Sequence, residues 1–297
     1  MVHTIDLHFL DHSDTIAAFL IESGEGPILF ETGPYSTFAH LTAGIKKLGY
    51  ELADIKHVFL THIHLDHAGA AWAFAEMGAH IYVHPFGAKH MHDPSKLINS
   101  ATRIYGEHME RLWSTMKGIP QEQLVIVEHG VSYQIGDQKV QAWHTPGHAV
   151  HHIAWQVGAH LIAGDVAGIK IGDGPVVAPC PPPDINVEHW QQSMALIKEL
   201  DLEAMYLTHF GKVTDIVPHL EALEQVLIEW SEWIKPHFER GADPKEVTPA
   251  FQAFAQESLA KQGVNKEGLA RYESANPSWM SVAGLFRYWK KKLETSA

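Results

Sequence analysis

Short apolar runs, separated by turn residues, fill the first part of the chain. "TIAAFLIES" (15–23) leads through "GEGP" into "ILFETG" (28–33), which predicts a β-hairpin. "YSTFAHLTAGIKKLGY" (35–50) has apolar residues at helical spacing and closes with Gly49, so it predicts a helix. "IKHVFLTH" (55–62) predicts a strand that is buried on both faces, with a short helix after it.

A longer helical pattern over residues 94–118 separates this block from a second one. The β character returns in "LVIVEHG", "KVQAWHTPGH", "HHIAWQV" and "HLIAGD". A helix is predicted over 187–200 and a buried strand over 205–211. The order strand, strand, helix, strand therefore occurs twice, which predicts an α/β fold built from two similar halves.

From Asp215 onward the apolar spacing is helical only, in three segments separated by "GADP" and "ANP". These segments carry large apolar residues such as Trp230, Trp233 and Trp289, which would favour aggregation on a free surface. We therefore expect a main domain over residues 1–214 and a helical subdomain over 215–297 packed on it. A homodimer that buries part of the same surface is an open alternative.

Composition narrows the function classes. The chain has 297 residues and a net charge of −13, which disfavours long-range attraction to nucleic acids or anionic lipids. It contains no run of 18 apolar residues, and its N-terminus lacks a signal-peptide pattern. The single cysteine, Cys180, excludes an internal disulfide and a cysteine-rich zinc site. The expectation is a cytoplasmic protein with a small-molecule substrate and neither a nucleic-acid nor a membrane partner.

The segment "THIHLDHAGA" (61–70) concentrates metal-binding residue types where a buried strand ends and a helix begins. Three further candidates occupy similar strand ends, in "HTPGH", "HLIAGD" and "MYLTH". Strand ends hold the backbone rigidly, as a metal site requires. Five histidines and two aspartates are enough for two metals with one shared carboxylate. The candidates are His62, His64, Asp66, His67, His148, Asp165 and His209.

The His-x-His-x-Asp-His motif, the later "TPGH", the strand-terminal "GD" and the final "TH" resemble the metallo-β-lactamase-fold hydrolase superfamily over residues 1–211. The helical tail is similar to the C-terminal segment of its glyoxalase II-like branch. The resemblance implies a four-layer αβ/βα sandwich with a C-terminal helical appendage and two metals in a groove at one edge. It implies one metal on His62, His64 and His148, a second on Asp66, His67 and His209, and Asp165 bridging the two.

Two metal ions would lower the pKa of a shared water and produce a hydroxide nucleophile without a protein base. Asp66 is the predicted catalytic residue, because it would hold the second metal and orient the bridging hydroxide. A serine nucleophile finds no support, since the chain has no Gly-x-Ser-x-Gly motif. Zinc is the preferred metal for this ligand set, although iron and manganese accept the same ligands.

Substrate contacts are expected from the loops around the groove. The Gly- and Pro-rich segment 167–186 is a candidate wall or lid, and the basic end "RYWKKK" of the last helix favours an anionic substrate or a subunit contact. His151 and His152 are expected to be structural or to support the ligands. Four side chains are candidates for substrate binding: Tyr35, Lys96, Arg103 and Tyr105.

The leading functional hypothesis is a dinuclear metal hydrolase of a small ester, thioester or lactone. Its alternatives are an iron-dependent oxidoreductase, as in the persulfide dioxygenase branch, and a nuclease or phosphodiesterase of the same superfamily. The complete second ligand set counts against a mononuclear iron enzyme. The acidic net charge counts against a nuclease. A binding protein that retains the site also fits the sequence.

Overall fold

Two six-stranded β-sheets face each other in the computed structural model, which describes residues 1–296 and their side chains as far as residue 294. Residue 297 of the predicted helical subdomain lies outside the described residues. The strands of the first sheet are β1 Val2–Asp6, β2 Ala17–Ser23, β3 Gly26–Phe30, β4 His57–Phe59, β5 His80–Val83 and β6 Leu124–Ile126. Those of the second are β7 Ser132–Ile135, β8 Gln138–His144, β9 Ile153–Val157, β10 His160–Ile162, β11 Ala204–Leu207 and β12 Gly211–Val213.

Eleven α-helices, counted within the described residues, cover the outer faces of the sheets and form the C-terminal tail. They are α1 Phe38–Lys47, α2 Leu65–Ala68, α3 Ala71–Glu76, α4 Pro85–His92, α5 Ser95–Tyr105, α6 Met109–Leu112, α7 Val187–Lys198, α8 Ile216–Glu239, α9 Pro244–Lys261, α10 Lys266–Ala275 and α11 Ser278–Ser296.

Strand order in both sheets follows the chain. The first sheet runs β1 to β6, with the β3–β4, β4–β5 and β5–β6 pairs parallel and the first two pairs antiparallel. The second sheet runs β7 to β12, and only its β10–β11 pair is parallel within the described residues. Parallel pairs place the carboxyl ends of their strands at one edge, where α/β proteins bind ligands.

Three apolar layers hold the sandwich together. Between the sheets Phe59 stacks on Phe30 and meets the edge of Trp155, with ring centroids 5.2 and 4.9 Å apart. Leu41 of α1 belongs to the layer outside the first sheet, and Trp190 of α7 to the layer outside the second. Burying each such side chain contributes roughly 1.5–3 kcal/mol to the hydrophobic term. The predicted four-layer αβ/βα sandwich is confirmed.

The C-terminal helices continue the outer layer of the second sheet. Leu223 and Trp230 of α8, Phe251 of α9 and Trp289 of α11 lie in one apolar cluster with Met205 of β11. The apolar side chains of the tail are therefore buried against the main body. The division into two domains at residue 214 stays a prediction. Within residues 1–296, none of the helices combines the length and the apolarity that a membrane span requires.

Several predicted elements differ from the structure. The helix expected over 94–118 ends at Tyr105, because Gly106 takes a positive φ of 53°, and only the short α6 follows. The single strand expected over 205–211 is two strands, and His209 sits in the turn between them. Strand β1 and helices α4 and α10 have no counterpart in the sequence-based prediction. These differences add elements or move their boundaries, and the layer order is unchanged.

Candidate metal centre

The segment from Thr61 to His67 leaves the end of β4 in the middle of the first sheet and turns into α2. Its backbone is anchored on both sides. The Thr61 carbonyl accepts a hydrogen bond from Ile153 N at 2.7 Å, and the His67 carbonyl accepts one from Thr32 N at 2.8 Å. The first bond connects the two sheets. The segment is therefore fixed at the edge where the carboxyl ends of β3, β4 and β5 meet.

Three histidine nitrogens converge at this edge. His62 Nε2 lies 2.9 Å from His64 Nδ1, and His148 Nε2 lies 3.1 Å from the same atom. A tetrahedral zinc ion with zinc–nitrogen distances of about 2.0–2.1 Å separates its ligand nitrogens by about 3.3 Å. The three nitrogens are thus spaced closely enough to share one cation.

A second group of ligand atoms lies beside the first. Oδ2 of Asp66 is 3.4 Å from His209 Nε2 and 3.8 Å from His67 Nε2. These three residues come from α2 and from the turn after β11, so both sheets contribute to this group. Its atoms are also within reach of a single cation.

Asp165 lies between the two groups and faces each with a different oxygen. Its Oδ1 is 3.3 Å from His67 Nε2 and 3.6 Å from His209 Nε2, whereas its Oδ2 is 3.3 Å from His148 Nε2. The structure therefore brings together all seven side chains singled out in the sequence.

The distal nitrogens of two of the histidines are held by hydrogen bonds that orient the rings. His148 Nδ1 donates to the Pro179 carbonyl at 2.9 Å, and His209 Nδ1 donates to the Thr15 carbonyl at 2.7 Å. Each bond puts the proton on Nδ1 and leaves the Nε2 lone pair directed at the site. This is the neutral tautomer that metal ligation requires.

Glu31 supports two more of the histidines and was missed in the sequence analysis. Its buried carboxylate accepts a short hydrogen bond from Thr61 Oγ1 and lies 3.2 Å from His67 Nδ1. Thr61 Oγ1 in turn accepts from His62 Nδ1 at 3.0 Å. The available signal was "ETG", an acidic residue directly after an apolar strand, the same context as the predicted ligands.

Burial and neighbouring charges shift the pKa of the histidines in opposite directions. Burial and the adjacent His148 lower the pKa of His64 to about 3. Burial and four neighbouring histidines likewise hold the pKa of His62 well below its ordinary value. For His67, burial acts in the same direction, but Asp165, Asp66 and Glu31 outweigh it and raise the pKa. His62 and His64 of the first ligand group are thereby kept neutral, whereas His67 of the second group is surrounded by carboxylates.

Three buried atoms at the centre lack hydrogen bonds in the described chain. They are Nδ1 and Nε2 of His67 and Oδ1 of Asp165, and burying polar atoms without a partner is costly. His67 Nδ1 faces the Glu31 carboxylate at 3.2 Å, and a divalent cation placed among the ligands would satisfy the other two atoms. The donor set of imidazole nitrogens and carboxylate oxygens suits zinc, iron or manganese, so the residues present fit a metal centre.

Other histidines surround the ligand groups. His152 donates from Nδ1 to Thr145 Oγ1 at 2.8 Å and accepts from Val166 N at 3.4 Å, which occupies both of its nitrogens. The rings of His84 and His144 stack with centroids 4.3 Å apart, away from the two groups. His151 is buried beside His62, with ring centroids 6.1 Å apart.

A cavity of about 220 Å³ opens directly onto the centre, and His64, Asp66, Asp165 and His209 form part of its lining. The other walls come from the N-terminal segment, helices α5 and α6, the 179–183 segment and the turn into α11. The predicted wall 167–186 thus contributes Ile169, Pro179 and Pro181–Pro183. The basic end of α11 contributes no side chain to the described lining. Its Arg287 and Lys291 donate to the carbonyl of Pro183, a lining residue, and its Lys292 contacts Glu188.

The predicted substrate-binding side chains take different positions. Tyr105 lines the cavity, and its hydroxyl lies 3.4 Å from Met280 Sδ. Tyr35 packs against Phe38 and Trp72 with centroids 5.1 and 4.7 Å apart, outside the cavity lining. Lys96 and Arg103 are exposed on α5 and do not line the cavity either.

Comparison with known proteins finds a matching family and similar solved structures. A family model described as the metallo-beta-lactamase superfamily matches residues 14–209. A metallo-beta-lactamase fold-containing protein of Sulfurisphaera tokodaii is 28% identical over 180 residues, which span 59% of this chain and 68% of the relative.

Solved structures support the same fold. A metallo-beta-lactamase family protein of Thermus thermophilus superposes with a TM-score of 0.71 at 17% identity, over 98% of this chain and 93% of that one. An archaeal metallo-beta-lactamase superfamily protein from Sulfolobus tokodaii superposes with a TM-score of 0.63 at 22% identity, over 77% of this chain and 85% of that one. At such identities the likeness concerns the fold, and in the Thermus protein it extends over nearly the whole chain.

Proposed function

Because the chain belongs to the metallo-beta-lactamase superfamily, we propose that it is a dinuclear metal-dependent hydrolase of a small ester, thioester or lactone. The observation that carries the proposal is the position of Asp165. Its two oxygens face two separate groups of ligand atoms, each compact enough for one cation. The glyoxalase II-like assignment of the tail stays a prediction, and the apolar cavity wall gives it no support.

In this proposal His62, His64 and His148 would hold one ion, and Asp66, His67 and His209 would hold the other. Asp165, which faces both groups, would be shared between them. Bound divalent ions supply Lewis acidity, which activates water and polarises the scissile carbonyl. Zinc is the preferred metal, and iron and manganese are the alternatives.

Asp66 is proposed to orient the attacking water. Its side chain is 24% exposed, against 4% for Asp165, and it lines the cavity. Neighbouring His67 and His209 outweigh the effect of burial and hold the pKa of Asp66 well below its ordinary value, so the group is an ionised acceptor. An accessible carboxylate beside the ligands can accept a hydrogen bond from water and fix its direction.

The apolar walls exclude bulk water from the reacting bond, which strengthens the electrostatic interactions at the centre. A cysteine nucleophile is disfavoured, because Cys180 is buried and burial raises the pKa of its thiol. No lysine or arginine lines the cavity within the described residues, which argues against a nucleic-acid phosphodiester as substrate.

The test combines metal analysis with a substrate panel. Protein produced with ample zinc should contain close to two zinc ions per chain and hydrolyse at least one ester, thioester or lactone. His148→Ala should lose metal and activity, whereas His144→Ala, a change outside the ligand groups, should retain both. Less than one metal per chain would contradict the dinuclear proposal. Phosphodiester cleavage or oxygen consumption without carbonyl hydrolysis would favour one of the two alternative functions.

A further inference from the structure

We propose that the cavity beside the metal centre binds a straight apolar acyl chain, about six to eight carbons long, of an uncharged substrate. This inference rests on the proposed hydrolase function and names the substrate class of that same site. Four properties of the cavity carry it: its apolar walls, its bonded polar groups, its size and its connection to the ligands.

Away from the metal-centre residues, the walls are mainly apolar. Phe9 and Leu10 come from the N-terminal segment, Ile104 from α5, Trp113 from the segment after α6, and Met280 from α11. Elements far apart in the sequence thus present apolar side chains to the same space. A ligand that buries apolar surface against them gains free energy in proportion to the area removed from water.

Three of the uncharged polar side chains in the lining donate to backbone carbonyls. Thr15 Oγ1 donates to the His12 carbonyl at 3.0 Å, and Ser274 Oγ donates to the Ala270 carbonyl at 3.0 Å. Asn276 uses its amide on the Ala178 carbonyl. These three groups use their hydrogen bonds within the chain, so the cavity offers few partners to a polar substrate. Ser100 and Tyr105 are the other hydroxyls of the lining.

Charge in the lining is confined to the metal-centre residues. Among the described residues of the walls there is no lysine or arginine to pair with an anionic group. Burying an unpaired charge against such walls is costly. A carboxylate at the far end of an acyl chain should therefore weaken binding strongly.

The size of the cavity sets the chain length. An apolar cavity of about 150 Å³ holds benzene, with its six carbons, so a cavity of about 220 Å³ takes roughly eight carbons. Because Asp66 and His209 belong to the same lining, a chain that fills the cavity leaves its carbonyl at the metal centre. Chains longer than about eight carbons extend beyond the walls.

The first experiment measures kcat/KM for uncharged 4-nitrophenyl esters and thioesters from two to twelve carbons with the zinc-loaded protein. We expect a rise of about two- to fourfold for each methylene up to six to eight carbons, then a plateau or a fall. Half-esters of dicarboxylic acids of equal length should react at least about tenfold more slowly. A flat series, or equal rates with the half-esters, would overturn the proposal.

A matched pair of variants on α5 locates the effect in the cavity. Ser100 lines it, and its neighbour Asn99 is exposed and does not. Ser100→Phe should reduce the octanoyl-to-acetyl ratio of kcat/KM to near one, whereas Asn99→Phe should keep the wild-type ratio. Zinc content and thermal midpoint of both variants identify any failure to fold. An unchanged ratio in a folded Ser100→Phe protein would overturn the proposal.

A binding measurement separates this inference from the hydrolase proposal. Titration calorimetry with straight-chain alcohols from hexanol to decanol should show affinity increasing to about eight carbons and weakening in Ser100→Phe. If these alcohols bind in this pattern and no ester is hydrolysed, the cavity inference stands and the hydrolase proposal fails. If esters are hydrolysed and no alcohol binds, the hydrolase proposal stands and the cavity inference fails.

Discussion

Three carboxylates surround the histidines of the centre, and each has a different environment. Glu31 is fully buried and bonded to Thr61, Asp165 is buried between the two ligand groups, and Asp66 is partly open to the cavity. The residue type alone does not distinguish these roles. The exposure of each carboxylate and its neighbours distinguish them, so replacing a carboxylate by an amide is expected to have a different effect at each position.

For Asp66→Asn we expect kcat to fall by about two orders of magnitude or more, with kcat/KM falling in parallel, because the carboxylate acts in the transition state. The thermal midpoint should change little, since the side chain is partly exposed. Steady-state kinetics and thermal unfolding measure the two effects. Asp201→Asn, on an exposed surface, is the control. Undiminished turnover in Asp66→Asn would mean that another group orients the water.

For Glu31→Gln we expect a 10- to 100-fold loss of metal affinity, of about the size found for supporting groups in other metal sites. Thr61 and His67 both face Oε1 of Glu31, and a neutral amide of the same shape lacks the negative charge that attracts the His67 ring. Competition with a chelator, read as metal retained per chain, measures the loss. Glu76→Gln, at an exposed pair with Lys117, should behave like wild type. Equal retention in Glu31→Gln would show that His67 needs no such support.

The convergence of the seven candidate ligands was predictable from the sequence because each follows an apolar strand, and strand ends of one sandwich meet at one edge. Glu31 follows the same rule, at the end of β3. The cavity was not predictable in this way. Phe9, Ile104 and Met280 meet only through tertiary packing, and nothing in their local patterns indicates a shared wall.

The sequence predicted those helices and strands whose apolar positions form a clear pattern. Buried strands such as β4 and long helices such as α8 have continuous or periodic apolar positions and were expected. Strand β1 interrupts its pattern with polar residues, and α10 has one fully buried residue, Tyr272, so neither gave a clear signal. For α10 the Asn265 cap, which accepts from Gly268 N at 2.9 Å, was the available cue.

Helix α11 is expected to stabilise the fold through Trp289. This side chain is buried, donates to the Ser231 carbonyl at 2.9 Å and lies in the apolar layer shared with the second sheet. Trp289→Ala should lower the free energy of unfolding by about 3–5 kcal/mol. Trp279→Ala, at a 37% exposed position of the same helix, should cost less than about 1.5 kcal/mol. Denaturant unfolding measures both, and equal losses would contradict the assignment.

For the whole molecule, the charge state of buried histidines links pH to stability. The pKa is lowered for a set of histidines at and around the centre: His62, His64, His84, His148, His151 and His152. In the unfolded chain each takes up a proton near pH 6.5, but in the fold His84 does so only near pH 4 and His64 near pH 3. Protons therefore favour the unfolded state as the pH falls below 6.5.

His67 and His209 have raised pKa values, and their contribution has the opposite sign. It is fully present below pH 6.5 and is lost as the pH rises through their folded-state pKa, so it adds nothing further in the acid range. The thermal midpoint of chelator-treated protein should therefore fall between pH 6.5 and 4. Scans at half-unit intervals measure it, and a midpoint that is constant or rises over this range would contradict the account.

The distribution of the ligands along the chain also orders events during synthesis. The first cluster is complete at His67, but its partners in the second sheet end with His209, whose ring is held by the carbonyl of Thr15. A ribosome adds roughly 5–20 residues per second, and N-terminal segments fold first. A nascent chain thus carries half of the proposed centre for several seconds before the other half exists. Both metal sites can therefore be filled only after β11 and His209 have been translated.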